Sequence, residues 1–208
     1  MTATIISEVY GTFDASPTTL YLNTVGADAL AVMVIKGYMD NDVALSGVKV
    51  NGAPMINKAQ GIYHLANPYQ MASCPIVVSG TATSLARIWA VAIREGGRFI
   101  GANQIGGVEN PSISVASEPG AMVFYVWMHR TSGYLTNDYS TGYATYHEEI
   151  GGDGTRLYRA MAKLSTLTSE SGTVVFGDGY ETSIELLTVA RLPSVDVSAV
   201  FISDFGVM

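Results

Sequence analysis

The residues best suited to chemistry in this chain are few and scattered. Its three histidines, His64, His129 and His147, show none of the short intervals, such as His-x-x-x-His, that bring two imidazoles onto one metal ion. Structural or surface roles are expected for all three, and no metal. Glu148 and Glu149 invite a glycosidase reading, which needs two carboxylates facing each other across a cleft. Neighbours on a strand point to opposite faces, so the pair cannot do this alone. A distant partner such as Asp178 or Glu181 has nothing in the sequence to nominate it. Asp40-Asn41-Asp42 begins like a calcium loop but lacks the glycine and the bidentate glutamate at their set distances, so it reads as a solvated turn. Gly151-Gly152-Asp153-Gly154 lacks the spacing and the strand–helix context of a phosphate cradle. There is no G-x-S-x-G elbow and no P-loop. Cys74, the single cysteine, has no partner for an internal disulfide. Beside Pro75 and ahead of Ile76–Val78, it reads as a strand-entry residue, without the cations or helix N-terminus that activate a thiol. The expectation is a chain with no catalytic residues and no cofactor.

One segment has the composition of a recognition surface. Thr131–Tyr146 carries Tyr134, Tyr139, Tyr143 and Tyr146 among Ser, Thr, Gly and Asn. Tyrosine supplies rigid amphipathic contact area, and the small polar residues adapt around it. Two readings stand: a loop that touches a neighbouring subunit or a glycan, or a β-connection whose tyrosines fold back over the edge of the fold.

The elements that must position these residues are strands. Ala29–Ile35 is a continuous apolar run that fits a strand buried on both faces. Over Ser84–Arg94, Leu85, Trp89, Val91 and Ile93 share one face, interrupted by Arg87, and Ala86, Ile88, Ala90 and Ala92 share the other. That pattern fits a strand sandwiched between layers. Asn51-Gly52 signals a tight hairpin, with Gly61–Ala66 as the returning strand. Ser112–Ala116 and Ala121–His129 read as the next pair, and Thr173–Phe176 turns through Gly177-Asp178-Gly179 toward Ser183–Leu192. Thr155–Leu164 has good helix formers, but its strand neighbours favour a strand with Tyr158, Ala160, Ala162 and Leu164 inward. The sum is an all-β chain: one antiparallel β-sandwich domain over residues 1–208, of roughly ten strands.

Composition bounds the function. Charged residues make up 14% of the 208, against about 25% in an ordinary soluble domain. So little charge points to a surface hidden against other subunits, since isolated monomers rely on charge to stay apart. The net charge of −7, with no Lys/Arg run, argues against direct nucleic-acid binding. No apolar run reaches the length of a membrane-spanning helix, and Met1–Glu8 lacks the features of a signal peptide. A soluble protein made in a cytoplasm, with no membrane partner, is expected.

The succession Ser46-Gly-Val-Lys-Val-Asn-Gly-Ala-Pro-Met, Ile62-Tyr-His-Leu-Ala-Asn-Pro, Ile76-Val-Val-Ser-Gly and Ile88-Trp-Ala-Val-Ala-Ile resembles a jelly-roll-like sandwich module of tailed-bacteriophage virion proteins. Pro119-Gly-Ala-Met-Val-Phe-Tyr and Glu185-Leu-Leu-Thr-Val-Ala-Arg continue the likeness, which covers about residues 18–192. The resemblance implies a structural role in a virion: a capsid decoration (cement) protein, or a head, collar or tail accessory protein or adhesin. Its partners would be other virion proteins and further copies of itself, or a host glycan. Residues 1–16 and 194–208 would lie outside the sandwich as arms able to add a strand to a neighbour's sheet.

Overall fold

The computed structural model describes residues 2–13, 17–36, 43–82, 86–129, 135–138, 142–150, 157–176 and 181–192. Seventeen strands and no helix occur among them. The first half contains β1 (Thr4–Phe13), β2 (Thr18–Leu22), β3 (Ala29–Lys36), β4 (Val43–Val50), β5 (Ala53–Pro54), β6 (Ile56–Ala59), β7 (Ile62–Ala66), β8 (Cys74–Ala82) and β9 (Ala86–Arg94). The second contains β10 (Arg98–Glu109), β11 (Ser112–Ala116), β12 (Met122–His129), β13 (Leu135–Asp138), β14 (Ala144–Ile150), β15 (Leu157–Leu164), β16 (Ser169–Phe176) and β17 (Glu181–Ala190).

Strand order reveals a duplication. The sheet β1-β9-β3-β7-β6 is matched position for position by β10-β17-β12-β15-β14, and β2-β8-β4-β5 by β11-β16-β13. With β5 and β6 taken as two pieces of one strand, each half is an eight-stranded, two-sheet antiparallel jelly roll. The expected all-β antiparallel sandwich is present, built from four sheets, and the described strands outnumber the expected ten.

The two five-stranded sheets face each other, giving a stack of four sheets and three cores. The central core interleaves Ala31, Met33, Trp89 and Val91 with Phe124, Val126, Ala160 and Leu187, and Trp89 meets Phe124 edge to face at 5.6 Å. Behind it, Leu30, Val32, Ile88 and Ala90 pack on Val48, Ile76 and Val78 of the first outer sheet. On the other side, Val123, Tyr125, Trp127 and Ile184 pack on Ile113, Val115 and Val174 of the second. The central strands β3 and β12 are thus apolar on both faces, because each face meets a different core. This explains the uninterrupted run of Ala29–Ile35, all of it buried, and the division of β9 between Trp89, Val91 and Ile93 on one side and Ala86, Ile88, Ala90 and Ala92 on the other. Thr155–Leu164 resolves as a strand over its last eight residues, with Tyr158, Ala160 and Ala162 in the central core and Leu164 exposed.

Three pairings differ from expectation. Asn51 and Gly52 do form a tight turn, both at positive φ (46° and 82°), but the returning strand is only Ala53–Pro54. Ile62–Ala66 instead pairs with Ala29–Met33 in the inner sheet. Likewise β11 pairs with β16, not with β12, and β12 lies between β15 and β17. The N-terminal stretch, expected as an arm, is an integral edge strand: Thr4–Phe13 pairs with Ala86–Arg94. The other expected arm, 194–208, lies outside the described residues.

Candidate functional site

The densest group of polar and aromatic side chains lies where the edge strand β1 of one jelly roll meets the edge strand β14 of the other. The Glu8 carboxylate accepts hydrogen bonds from Tyr10 Oη (2.8 Å) and Trp89 Nε1 (3.1 Å) through one oxygen, Oε2. His147 of β14 stacks on Tyr10 at 4.2 Å and lies 5.8 Å from the Tyr158 ring, while Tyr146 packs on Trp89 at 5.9 Å. Burial, reinforced by the Glu8 hydrogen bond and charge, pushes the Tyr10 hydroxyl far above its ordinary range. Burial and Glu8 also raise Tyr146. Both phenols are therefore neutral donors at physiological pH. The cluster presents no activated nucleophile, and its chemistry is that of an interlayer clasp.

Of the four tyrosines singled out in the sequence, Tyr134 and Tyr139 lie outside the described residues. Tyr146 belongs to the clasp. Tyr143 covers the second outer core: its ring is 5.4 Å from Tyr125, with Lys163 Nζ 4.4 Å from its centroid. Burial, with the Glu170 charge as a second cause, raises the Tyr143 hydroxyl. Tyr143 packs on its own jelly roll, whereas Tyr146, 39% exposed, reaches across to Trp89 of the other. Lys163 pairs with the buried Glu170 at 2.7 Å, and Ser165 donates to the same carboxylate at 2.7 Å. The sequence offered no signal for this buried ion pair, nor for the Glu8 hub, because both unite residues from different strands.

The histidines occupy separate environments. His64 is buried, 3.2 Å from the Gly96 carbonyl through Nε2, and burial lowers its pKa. His129 Nδ1 lies 2.8 Å from Thr182 Oγ1. Among the described residues no three His, Cys, Asp or Glu side chains come together as a metal site. Glu148 pairs with Arg159 at 2.8 Å on β14–β15, whereas Asp40–Asp42, Gly151–Gly154 and Asp178 lie outside the described residues. Cys74 is buried, and burial raises its thiol pKa. A cavity of about 510 Å³ opens at the edge of the first jelly roll, between β4 and the β5–β7 turn. Among the described residues that line it, the titratable side chains are Lys49 and Tyr63.

The fold and this geometry define a class: a duplicated jelly roll whose polar clusters serve its own packing. No protein family profile matches the chain, and no curated protein matches it. Among solved structures it is similar to the major capsid protein P2 of Bacteriophage PM2, at 7% identity over 90% of this chain and 98% of that one, with a TM-score of 0.29. Two oxalate decarboxylase structures also overlap it. One, from Bacillus subtilis, is 10% identical over 89% of this chain and 69% of its own (TM-score 0.27). The other is 12% identical over 93% and 74% (TM-score 0.25). Overlaps this low assign no kinship, and no residue role passes from them to this chain.

Proposed function

We propose that this chain is a non-enzymatic structural protein of a bacteriophage virion, a capsid decoration (cement) or head/tail accessory subunit. It associates with further copies and with neighbouring virion proteins, and holds neither nucleic acid nor membrane. The observation that carries the reading is the character of the two outer faces of the four-sheet stack. On the second outer sheet, the outward residues of β11 and β16 are Ser112, Ser114, Ala116, Ser169, Ser171, Thr173 and Val175, with no charge among them. The first presents Thr19, Tyr21, Ala44, Ser46, Pro75, Val77 and Ser79, with Lys49 the charged residue among them. The scarcity of charge in the composition is thus concentrated on flat faces that protein can cover without burying unpaired charge. Jelly rolls recur in viral capsids, which fits the same reading. The test is the composition of purified particles by quantitative mass spectrometry. The chain is expected at a fixed copy number per particle; its presence in infected lysate but absence from particles contradicts the proposal.

A second reading, a receptor- or glycan-binding adhesin, draws on Tyr21 and Tyr69, which are 63% and 56% exposed. The two flank one end of the first jelly roll, where Thr24 is hydrogen-bonded to the backbone at Tyr69 and Met71. Exposed rings of this kind stack on sugars, and binding on a glycan array that Tyr21→Ala abolishes would favour this reading over the first. Trp89 and Trp127 are buried and cannot serve in such a platform.

A further inference from the structure

In the first jelly roll the strand that should run beside β4 leaves early. Ala53–Pro54 pairs only with Lys49 and Val50, the Met55 N–H donates to the Val48 carbonyl at 2.8 Å, and the chain then joins the inner sheet as β6. Among the described residues, Val43–Gly47 therefore has β8 on one side and no strand on the other. At ~3.3 Å per residue this open edge is about 16 Å long. The pairing with β8 shifts register between Leu45 and Gly47, and a Cβ built on Gly47 would meet nothing within 4 Å. The cavity of about 510 Å³ lies along this edge, walled by Leu45, Gly47, Pro54, Met55, Asn57 and Tyr63. Among the described residues it is an open strand edge, with backbone along one side and Leu45, Met55 and Tyr63 beneath.

We propose that this slot receives the C-terminal segment, residues 194–202, of a second copy of the chain, as an added strand. As a strand, Ser-Val-Asp-Val-Ser-Ala-Val-Phe-Ile would place Val195, Val197, Ala199 and Phe201 on one face, and Ser194, Asp196, Ser198, Val200 and Ile202 on the other. That alternation suits a strand with one side against Leu45, Met55 and Tyr63, and its β-branched and aromatic residues favour the extended backbone. The donor is another copy because Leu192, the last described residue, and the slot lie at opposite ends of β3. Leu192, 49% exposed, leaves the molecule against Gly97, beside Asp28 and thus next to the start of β3. The slot lies alongside Ser79–Ala82, whose chain runs on toward Ala86, the partner of Lys36 at the far end of β3. A donor at one end and an acceptor at the other produce head-to-tail association, which closes into rings or extends as filaments. The inference uses only the slot and the tail, and it stands or falls apart from the virion reading.

The test is disulfide trapping in the full chain, with Ser46→Cys combined in turn with Asp196→Cys, Ser198→Cys and Val200→Cys. The native Cys74 is buried and takes no part. On oxidation at least one pair is expected to give a ladder of multiples of 22.1 kDa on a non-reducing gel, collapsing on reduction. A monomer closed by an internal disulfide, or no cross-link from any pair, overturns the proposal. A second measurement covers loss of folding in these variants. A peptide of residues 194–202 should bind the full chain and weaken its self-association by at least ~tenfold. A peptide that neither binds nor competes also overturns it.

Discussion

Replacing Gly61 with alanine perturbs a tight turn of the first jelly roll that lies against a side chain of the second. Gly61 turns β6 into β7 at φ +82°, and its carbonyl accepts from the Val34 N–H at 2.8 Å. A Cβ there would lie 2.4 Å from the Val34 carbonyl oxygen and 2.7 Å from Glu185 Oε1 of β17, in the other jelly roll. The left-handed conformation costs an alanine about 1–2 kcal/mol, and forcing β7 away from β3 and β17 adds about 1–3, for roughly 2–5 in total. In a chain of this size that is a fall of roughly 5–15 °C in Tm. Gly52 is the matched control, since it has the same φ of +82° but no atom within 4 Å of a built Cβ. Gly52→Ala should cost only about 1–2 kcal/mol, from the left-handed conformation alone. Urea unfolding followed by the fluorescence of Trp89 and Trp127 reads both variants at a common m. Equal losses, within about 0.5 kcal/mol, would refute the close packing of the β6–β7 turn between β3 and β17.

Phe124→Ala removes a fully buried ring from the central core, where it meets Trp89 edge to face, and should cost about 3–5 kcal/mol by calorimetry or urea melt. Glu8→Ala takes away the acceptor shared by Tyr10 and Trp89 and should cost about 1–3 kcal/mol, whereas Tyr10→Phe, which leaves the Trp89 bond in place, should cost less. His64 links stability to acid. Its pKa is lowered by burial in the folded chain, so the unfolded chain binds the proton first, and stability declines as pH falls below about 6.5 toward the folded pKa. Thermal melts between pH 5 and 7.5 should therefore show a steeper acid loss in the native chain than in His64→Gln.

Much of the layering was legible from side-chain period alone. The split faces of β9 and the two-sided burial of β3 follow from alternation, because a strand between two cores must be apolar on both sides. The partners were not legible. A period of two says which face a residue occupies and nothing of which strand lies beside it, and β1 pairs with β9 across most of the first jelly roll. Asn51-Gly52 fixed a turn without fixing how far the returning strand would run. Arg98–Glu109 carries Gly101, Gly106 and Gly107 among polar residues, so it lacks the apolar rhythm of a strand, and the duplication went unseen with it. The Tyr-rich segment advertised contact by composition. What it did not show is that Tyr143 and Tyr146 also meet Tyr125, Lys163 and Trp89 within the chain, partners supplied by strands that sequence distance conceals.

The account rests on the sparsely charged outer faces being covered in assembly, and the mass in solution tests this most directly. Light scattering after size exclusion should compare the native chain with Ser114→Lys/Ser171→Lys, an exposed cross-strand pair on the second outer sheet. Surface changes of this kind should leave the melting temperature nearly unmoved. The account predicts a native mass at a multiple of 22.1 kDa and a lower mass for the doubly charged variant at unchanged Tm. A native monomer, or a native multimer that the two lysines leave intact, would contradict it.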